Sequence, residues 1–328
     1  MGHLSADDAR WMSTALALGE RGRGRTRPNP NVGCVIVKNG RVVGRGWTQP
    51  GGRPHAEAMA LAQAGGQARD ATVYVTLEPC AHRSERGPAC ADLLVEAGIA
   101  RVVAAVEDPD PRTAGGGLAR LRAAGVDVVS GVREQEALRS FAGFVARQHL
   151  GRPHVTLKLA TSLDGCIAMA DGSSRWITGG PSRAHAHLER SRHEAILVGR
   201  ATWDADAPKL DVRLAGLEDR SPARVVLSRS LVIAPELGLI VVQEPHQIAA
   251  LPCHHLLVEG GAQTAAAFLR ADLVDRLLLY TAPILIGGGK PALGDIGLTD
   301  LADAHGRWRL ADARMLGSDR LHVYLRQR

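Results

Sequence analysis

The sequence predicts two layered α/β domains in tandem, residues 1–150 and 151–328. Its 328 residues exceed one average domain and suit two of about 150 each. Helix-like and strand-like stretches alternate along both halves, which points to helices layered on partly parallel sheets. Between the halves, Gly151-Arg152-Pro153 breaks a helical run just before a new apolar strand.

Ser5 and Asp8 form a capping-box pattern ahead of apolar residues at helical spacing, so a helix opens the chain and runs to about Leu18, before Gly19 and Gly22. Residues 32–37 and 41–46 are β-rich runs joined by Lys38-Asn39-Gly40. Asn-Gly tolerates positive φ at both turn positions, so these runs form a hairpin. An Ala-rich helix follows over 55–64, then a strand over 72–77, a helix over 89–97 and a strand over 101–106. A helix near 118–124, a strand 126–129 and a helix 134–148 complete the first half. The second half opens on a strand over 154–160 and a helix started by Pro181, whose fixed φ suits a first turn. Strands follow near 195–198, 224–227, 239–242 and 255–258, then a helix 262–270, a strand 276–281 and a last strand near 321–325. No fixed-period repeat relates the two halves.

Hydrophobic residues make up 45% of the chain and charged residues 23%, a globular composition that argues against disorder. Only 3 Phe, 3 Tyr and 5 Trp occur, so the cores rest on Ala, Leu and Val, and a platform for stacking single-stranded bases is not expected. The net charge of +6 is modest. Its clearest cluster, Arg21, Arg23, Arg25 and Arg27, alternates with Gly and Thr and reads either as a solvated loop or as a site for a small anion. Asp7, Asp8 and Arg10 argue against a secretion signal, and no run of about 18 apolar residues occurs, so a soluble cytoplasmic protein is expected. The five cysteines, odd in number and scattered, suit a metal site or buried thiols better than a disulfide scaffold.

The strongest local signal is Pro54-His55-Ala56-Glu57 with Glu78-Pro79-Cys80 and Cys90. One imidazole and two thiolates leave a fourth tetrahedral position for water, as in catalytic rather than structural zinc. His55 and Cys90 fall at predicted helix starts, where the helix dipole favours a thiolate. Cys80 follows a predicted strand, so all three can meet at one sheet edge. Glu57, two residues after His55, projects away from the ion but within reach of its water, and suits proton transfer to a leaving amine. This is the His-x-Glu…Pro-Cys signature of zinc deaminases, except that nine residues rather than two separate the cysteines. A structural zinc would need a fourth protein ligand, for which His82 is the nearby candidate. Cys34, Cys166 and Cys253 have no ligand partners in sequence and read as inert thiols.

The runs PNPNVGCVIV, PHAEAMAL, TLEPCAH, GPAC, RVVAAVEDPDPRTAGGG, LKLATSLDGCIAM and SRWIT closely resemble the bifunctional deaminase/reductase of riboflavin biosynthesis, over nearly the whole chain and in that family's domain order. The resemblance implies an α/β protein with an N-terminal cytidine-deaminase-like three-layer domain and a C-terminal dihydrofolate-reductase-like domain. It implies zinc-dependent removal of the ring 2-amino group of 2,5-diamino-6-ribosylamino-4(3H)-pyrimidinone 5′-phosphate, then NADPH-dependent reduction of the ribosyl group to ribityl. By the match, His55, Cys80 and Cys90 hold zinc, Glu57 is the proton donor, and Asn29, Asn31, His82 and Arg86 belong to the substrate pocket. Either Asn alone reads equally well as a turn residue. The long cysteine spacing belongs to this family too, which places eight residues where this chain has nine.

On chemistry alone the second half is quieter. Glu259-Gly260-Gly261 follows a predicted strand and precedes a helix, where bare amides can meet a phosphate or simply turn the chain. Gly287-Gly288-Gly289 reads as a loop. The resemblance assigns Ala160, Trp176, Thr202, Asp206, Gly261, Ala262, Gln263, Thr264, Ala265, Ala266 and Ala267 to NADPH. It assigns Ser174, Arg190, Leu210, Arg213 and Glu259 to the substrate, with Arg190 and Arg213 suited to clamp its 5′-phosphate and Glu259 its ribose hydroxyls. Lys158 would assist near the reacting ribose carbon. Taken singly, the two arginines read as a surface helix and a loop residue, Glu259 as a cap, Lys158 as a solvated strand charge and Trp176 as a core aromatic.

Four departures from the family stand out. Thr48 replaces a common His, and Ser84-Glu85-Arg86-Gly87-Pro88-Ala89 replaces the usual run between the cysteines, with Arg86 in the place of its basic residue. Asp211 replaces Thr, and Ser228-Arg229 replaces an Asp-Ser pair near the cofactor. The rival reading is a nucleic-acid (tRNA) zinc deaminase with an appended binding domain, which the cysteine spacing, the few aromatics and the second half all disfavour. The expected partner is therefore a small phosphorylated pyrimidine rather than nucleic acid or membrane, and the family's habit implies a homo-oligomer.

Overall fold

In the computed structural model, which describes residues 6–82, 87–111, 113–231 and 238–328, the chain forms two units divided between Leu150 and Gly151. The expected Ser5 cap and the segment 84–86, with Arg86, lie outside the described residues. No helix among the described residues is long and apolar enough to cross a membrane.

The first unit contains α1 (Ala6–Gly19), β1 (Gly33–Lys38), β2 (Arg41–Trp47), α2 (Ala56–Ala64), β3 (Thr72–Val75), α3 (Cys90–Glu96), β4 (Arg101–Ala104), α4 (Gly116–Ala123), β5 (Asp127–Ser130), α5 (Glu134–Ser140) and α6 (Ala142–Leu150). Asn39 and Gly40 take φ of 51° and 71°, so Lys38 pairs with Arg41 across a two-residue turn. The sheet order is β2-β1-β3-β4-β5. β3, β4 and β5 run parallel, joined through helices, while β1 is antiparallel to both neighbours. Cys34 and Ile36 share a face with Gly46 and Gly44, against which the α2 backbone packs at Ala56 and Ala60. The opposite face meets α1 where Gly33 touches Ala15, which makes three layers.

Where the sequence predicts one helix over 134–148, the chain turns at Phe141 (φ −111°, ψ 35°) between α5 and α6. The turn sinks Phe141 fully into the core. It also holds the Ser140 hydroxyl where it donates to Glu20 (2.7 Å) and accepts from Asn31 (3.2 Å), tertiary contacts that override helical periodicity.

The ends of β3 and β4 are tied together by Glu78. Its side chain is buried and accepts four backbone N–H bonds, from Gly117 (2.8 Å) and Leu118 (3.1 Å) on Oε1 and from Gly115 (2.9 Å) and Asp108 (3.1 Å) on Oε2. It thereby caps α4, whose own N-cap Gly115 has no side chain to offer. The approach requires glycine at 117, because a Cβ there would stand 1.8 Å from the Pro79 carbonyl oxygen.

The second unit contains β6 (His154–Thr161), β7 (Cys166–Ala168), α7 (Gly180–Arg190), β8 (Ala195–Gly199), α8 (Arg200–Asp206), β9 (Ala223–Leu227), β10 (Leu239–Val242), β11 (His255–Val258), α9 (Ala262–Arg270), β12 (Arg276–Thr281), β13 (Lys290–Pro291), β14 (Trp308–Leu316) and β15 (Asp319–Arg326). Eight strands form one sheet in the order β10-β9-β8-β11-β6-β12-β15-β14. It is parallel from β10 to β12 and antiparallel beyond. β8 and β11 are buried at every position, as expected of strands covered on both faces. α8 and β14 were not legible in the sequence, because α8 buries no residue and β14 is exposed along its length between the two end positions, so neither carries an apolar stripe. The 287–289 glycines do form a loop, whose Ile286 and Gly287 amides donate to the Asp164 carboxylate.

At the start of β6, the buried Arg152 and Asp275 form a bidentate pair (2.7 and 2.9 Å). Asp275 also accepts from the Val155 amide (2.8 Å) and from Arg328 (2.7 Å). Burial alone would raise the Asp275 pKa, but Arg152, aided by His154 and the Val155 amide, outweighs it and holds the group at about 2. Its stabilisation is therefore complete above the ordinary carboxylate range and lost as pH falls through about 2.

Substitutions at two positions test these supports. Asp275→Ala leaves Arg152 buried without its partner and is expected to cost the second unit roughly 3 kcal/mol, read as a lower urea midpoint, with the difference from wild type shrinking as the pH approaches 2. Glu78→Ala strands four amides and should destabilise the first unit by roughly 3 kcal/mol or more. Glu78→Gln recovers part of the loss through its remaining acceptor oxygen; an unchanged unfolding midpoint in Glu78→Ala would refute the role.

Candidate active sites

His55, Cys80 and Cys90 meet at one edge of the first unit's sheet. His55 is the N-cap of α2 and Cys90 opens α3, while Cys80 lies beyond the end of β3. His55 Nδ1 is 3.2 Å from Cys90 Sγ and 3.7 Å from Cys80 Sγ, and the three ligand atoms all fall within 4.8 Å of one another. The Cys90 amide donates to Cys80 Sγ (3.3 Å). Hydrogen bonds from Cys90 and His55 pull the Cys80 thiol down, whereas donation to Cys80 and burial push Cys90 up. Cys80 is thus the more acidic of the two thiols and Cys90 the one that keeps its proton. Two sulfurs and one imidazole at these separations fit zinc. Among the described residues no fourth His, Cys, Asp or Glu joins the group.

Glu57 stands beside this cluster with its side chain buried. Burial pushes its pKa up to about 7, with His55 pulling against the rise and Cys80 adding to it. A carboxyl group that changes charge near neutrality suits a proton carrier.

The surrounding residues divide by what holds them. Asn29 donates its amide to the Gly52 carbonyl (2.8 Å) and lies 2.9 Å from His55 Nε2, so it fixes the imidazole from behind. The Asn31 amide instead turns toward Gly19 (3.4 Å) and Ser140 (3.2 Å). His82 lies 3.2 Å from the Thr113 hydroxyl and is not part of the metal group. The buried Thr48 accepts from the Val32 amide (3.1 Å), a structural use of the position where the family commonly has His. Cys34, Cys166 and Cys253 are buried and take part in no disulfide.

In the second unit, the sheet changes direction between β8 and β11. The chain leaves β8 through α8 toward β9 and the sheet edge, and leaves β11 through α9 toward β12 on the other side. The crevice at the carboxyl ends of such a pair of strands is where open α/β sheets bind ligands. Here it is lined by glycine: a Cβ on Gly199 would stand 2.1 Å from Thr264 Oγ1, and one on Gly260 2.4 Å from Thr264 Cβ. Gly261 is the N-cap of α9, and a Cβ on it would approach Thr202 Oγ1 at 3.6 Å. Bare amides, a helix N-terminus and the Thr202 hydroxyl therefore converge, a donor set that fits a phosphate-bearing nucleotide. Of the expected cofactor residues, Thr264, Ala265 and Ala266 turn inward and are buried, which leaves their backbone to a ligand. Gln263 is exposed and Ala160, Ala262 and Ala267 are half-buried. Asp206 is ion-paired with Arg175 (3.1 Å). Trp176 is 65% exposed under Arg183, so it is not a core aromatic.

Beside this crevice, Glu259 follows β11 and Lys158 lies on the adjacent β6. Arg190 grips Glu259 with both Nε (2.7 Å) and Nη2 (2.9 Å) and donates Nη1 to the Asp211 carbonyl (3.0 Å). Three of its five hydrogens are thus engaged and two remain for a ligand. Lys158 Nζ lies 3.8 Å from Glu259. Burial would raise the Glu259 pKa, but Lys158 and then Arg190 reverse this and hold it at about 2. Arg213 is largely exposed with a 3.3 Å ion pair to Asp211, and Ser174 is exposed. Leu210 is buried against Ile196, Val198, Val226 and Leu257, so only its backbone is available to a ligand. Sequence reasoning missed Glu78, Gly199 and His187. His187 Nδ1 accepts from the Arg213 amide (3.3 Å), and its pKa is lowered by burial and by Arg190 and Arg213. A signal existed only for Gly199, a glycine closing an apolar strand.

The family "Cytidine and deoxycytidylate deaminase zinc-binding region" matches residues 5–106, and "RibD C-terminal domain" matches residues 153–250 and 246–321. "Riboflavin biosynthesis protein RibD" of Escherichia coli is 40% identical across 95% of this chain and 97% of that protein. Its counterpart in Mycobacterium tuberculosis is 43% identical across 97% and 96%. The solved structure of Acinetobacter baumannii RibD superposes with a TM-score of 0.88 at 36% identity, covering 98% of this chain and 99% of that one. A Thermotoga maritima deaminase/reductase does so with 0.88 at 31% identity over the same shares. A second half matching a reductase domain leaves the tRNA deaminase reading without support. The chain belongs to the RibD family of bifunctional riboflavin biosynthesis enzymes, in which a zinc-binding deaminase is joined to a reductase.

Proposed function

We propose that the first unit removes the ring 2-amino group of 2,5-diamino-6-ribosylamino-4(3H)-pyrimidinone 5′-phosphate, and that the second reduces the ribosyl group of the product to ribityl with NADPH. The observation that carries this reading is the convergence of His55, Cys80 and Cys90 beside the buried Glu57.

His55, Cys80 and Cys90 hold zinc, which when bound supplies an activated water and a Lewis acid. Glu57 accepts a proton from the attacking water on its carboxylate and passes it to the 2-amino nitrogen, so that ammonia leaves and a ring carbonyl remains. Asn29 keeps the His55 ring in place, and the family resemblance assigns Asn29, Asn31, His82 and Arg86 to the pyrimidine substrate.

In the second unit, residues 261–267 with Ala160, Trp176, Thr202 and Asp206 bind the nucleotide, and NADPH when bound supplies a hydride. Ser174, Arg190, Leu210, Arg213 and Glu259 hold the phosphorylated ribosyl chain. Arg213 is the freer cation for the 5′-phosphate, and Arg190 serves it only with the hydrogens that Glu259 and Asp211 leave over. Lys158 delivers a proton to the ribose oxygen as the sugar ring opens, facing the Glu259 carboxylate that steadies its charge.

Supplied with the diaminopyrimidinone phosphate, the protein should release ammonia, and NADPH should then be oxidised by the deaminated product. Glu57→Gln should cut ammonia release by about a thousandfold while metal analysis still finds zinc at the wild-type ratio; deamination that survives this change would sink the assignment. Arg213→Ala should raise KM for the deaminated phosphate about tenfold with little change in kcat, and this effect should vanish with a substrate lacking the 5′-phosphate.

A further inference from the structure

The chain that follows α8, residues 207–213, has no helix or strand to fix it. Around Arg213 its backbone is held by side chains instead. Val212 is buried, and its amide donates to the Ser221 hydroxyl (3.0 Å). On either side of it, two residues of α7 reach across. Arg190 Nη1 donates to the Asp211 carbonyl (3.0 Å), and His187 Nδ1 accepts from the Arg213 amide (3.3 Å). His187 and Arg190 stand three positions apart, so they share one face of the helix.

The imidazole can accept from that amide only as a neutral ring with a bare Nδ1. Burial, then Arg190 and Arg213, lower the His187 pKa and outweigh the opposing pull of the Asp211 carbonyl and Glu259, which keeps the ring uncharged at neutral pH. The Asp211 carbonyl also lies 3.2 Å from Nδ1. It already takes a donor from Arg190, so the tautomer protonated on Nε2 leaves both backbone groups satisfied.

We infer that His187 is a positioning residue of the reductase site: by holding the Arg213 amide, it fixes where the Arg213 guanidinium meets the 5′-phosphate of the substrate. The Arg213 side chain is largely exposed, and its ion pair is to Asp211 of the same segment (3.3 Å), which moves with it. A cation on an unfixed backbone must be ordered at each binding event, and that ordering weakens affinity. His187 acts through Arg213 and touches no reacting atom. The inference rests on the 5′-phosphate role proposed above for Arg213.

Steady-state reduction of the deaminated phosphate by the intact chain at saturating NADPH tests this in His187→Ala, His187→Gln, His187→Asn, Arg213→Ala and the double variant His187→Ala with Arg213→Ala. His187→Ala and His187→Gln should each raise KM about fivefold with little change in kcat. His187→Asn should recover most of the loss, because its side-chain oxygen stands as far from the backbone as Nδ1. In the Arg213→Ala background, His187→Ala should add less than about twofold, since the group it positions is gone. A factor of about five that repeats in that background, or a KM unchanged in every His187 variant, overturns the positioning role and leaves the phosphate role of Arg213 standing. An Arg213→Ala KM equal to that of the wild type overturns both.

Discussion

A carboxylate taken out of water is costly unless its oxygens are met by hydrogen bonds or opposite charge, and each unit places one just beyond a central parallel strand. Glu78 follows β3 and is met by four backbone amides. Glu259 follows β11 and is met by a bidentate arginine and a lysine. The two solutions have different consequences. Backbone dipoles cannot leave without unfolding the α4 start, so Glu78 is fixed and serves to hold the loop beside Cys80. Side-chain cations keep unused hydrogens, so the Glu259 cluster can also meet a substrate.

The same strand-end logic explains why the metal cluster is preformed. Both His55 and Cys90 sit where a helix begins, and Cys80 sits where a strand has ended, so the three elements bring their ligand atoms together without long flexible side chains. The far nitrogen of His55 is pinned at Asn29. A zinc ion held by these three residues would find their ligand atoms already gathered and would need little backbone reorganisation.

What was legible in the sequence follows from the range of each interaction. His55, Glu57, Cys80 and Cys90 were readable because side-chain chemistry is written in residue type, and the spacing placed them at element ends. The Asn39-Gly40 hairpin was readable because its turn geometry is local. Glu78 stood inside the recognised run, yet its role was hidden because its partners are amides 30–40 residues away, and any residue has an amide. The Arg190–Glu259 grip, 69 residues apart, was hidden likewise, so both appeared as separate substrate contacts rather than as one charge cluster. The break at Phe141 is a tertiary effect on a sequence of good helix formers, and β14 lacks alternation because neither of its faces is buried.

Regrouping those residues changes how the second unit can recognise an anion. Had Arg190 and Arg213 both been free, the crevice would present two unopposed cations. Instead Lys158, Arg190 and Arg213 face the carboxylates of Glu259 and Asp211, so one positive charge remains in excess. That excess lies on the exposed side of the cluster, because Arg190 and Glu259 are nearly buried while Arg213 is largely in solvent. Under the proposed reduction, a phosphate drawn to Arg213 would stay hydrated at the rim, with the attached sugar directed inward along Glu259 toward Lys158. Charge would thus orient such a substrate by its end, and the buried ion pairs, being already satisfied, would offer directional hydrogen bonds to the sugar without a competing net attraction for the phosphate.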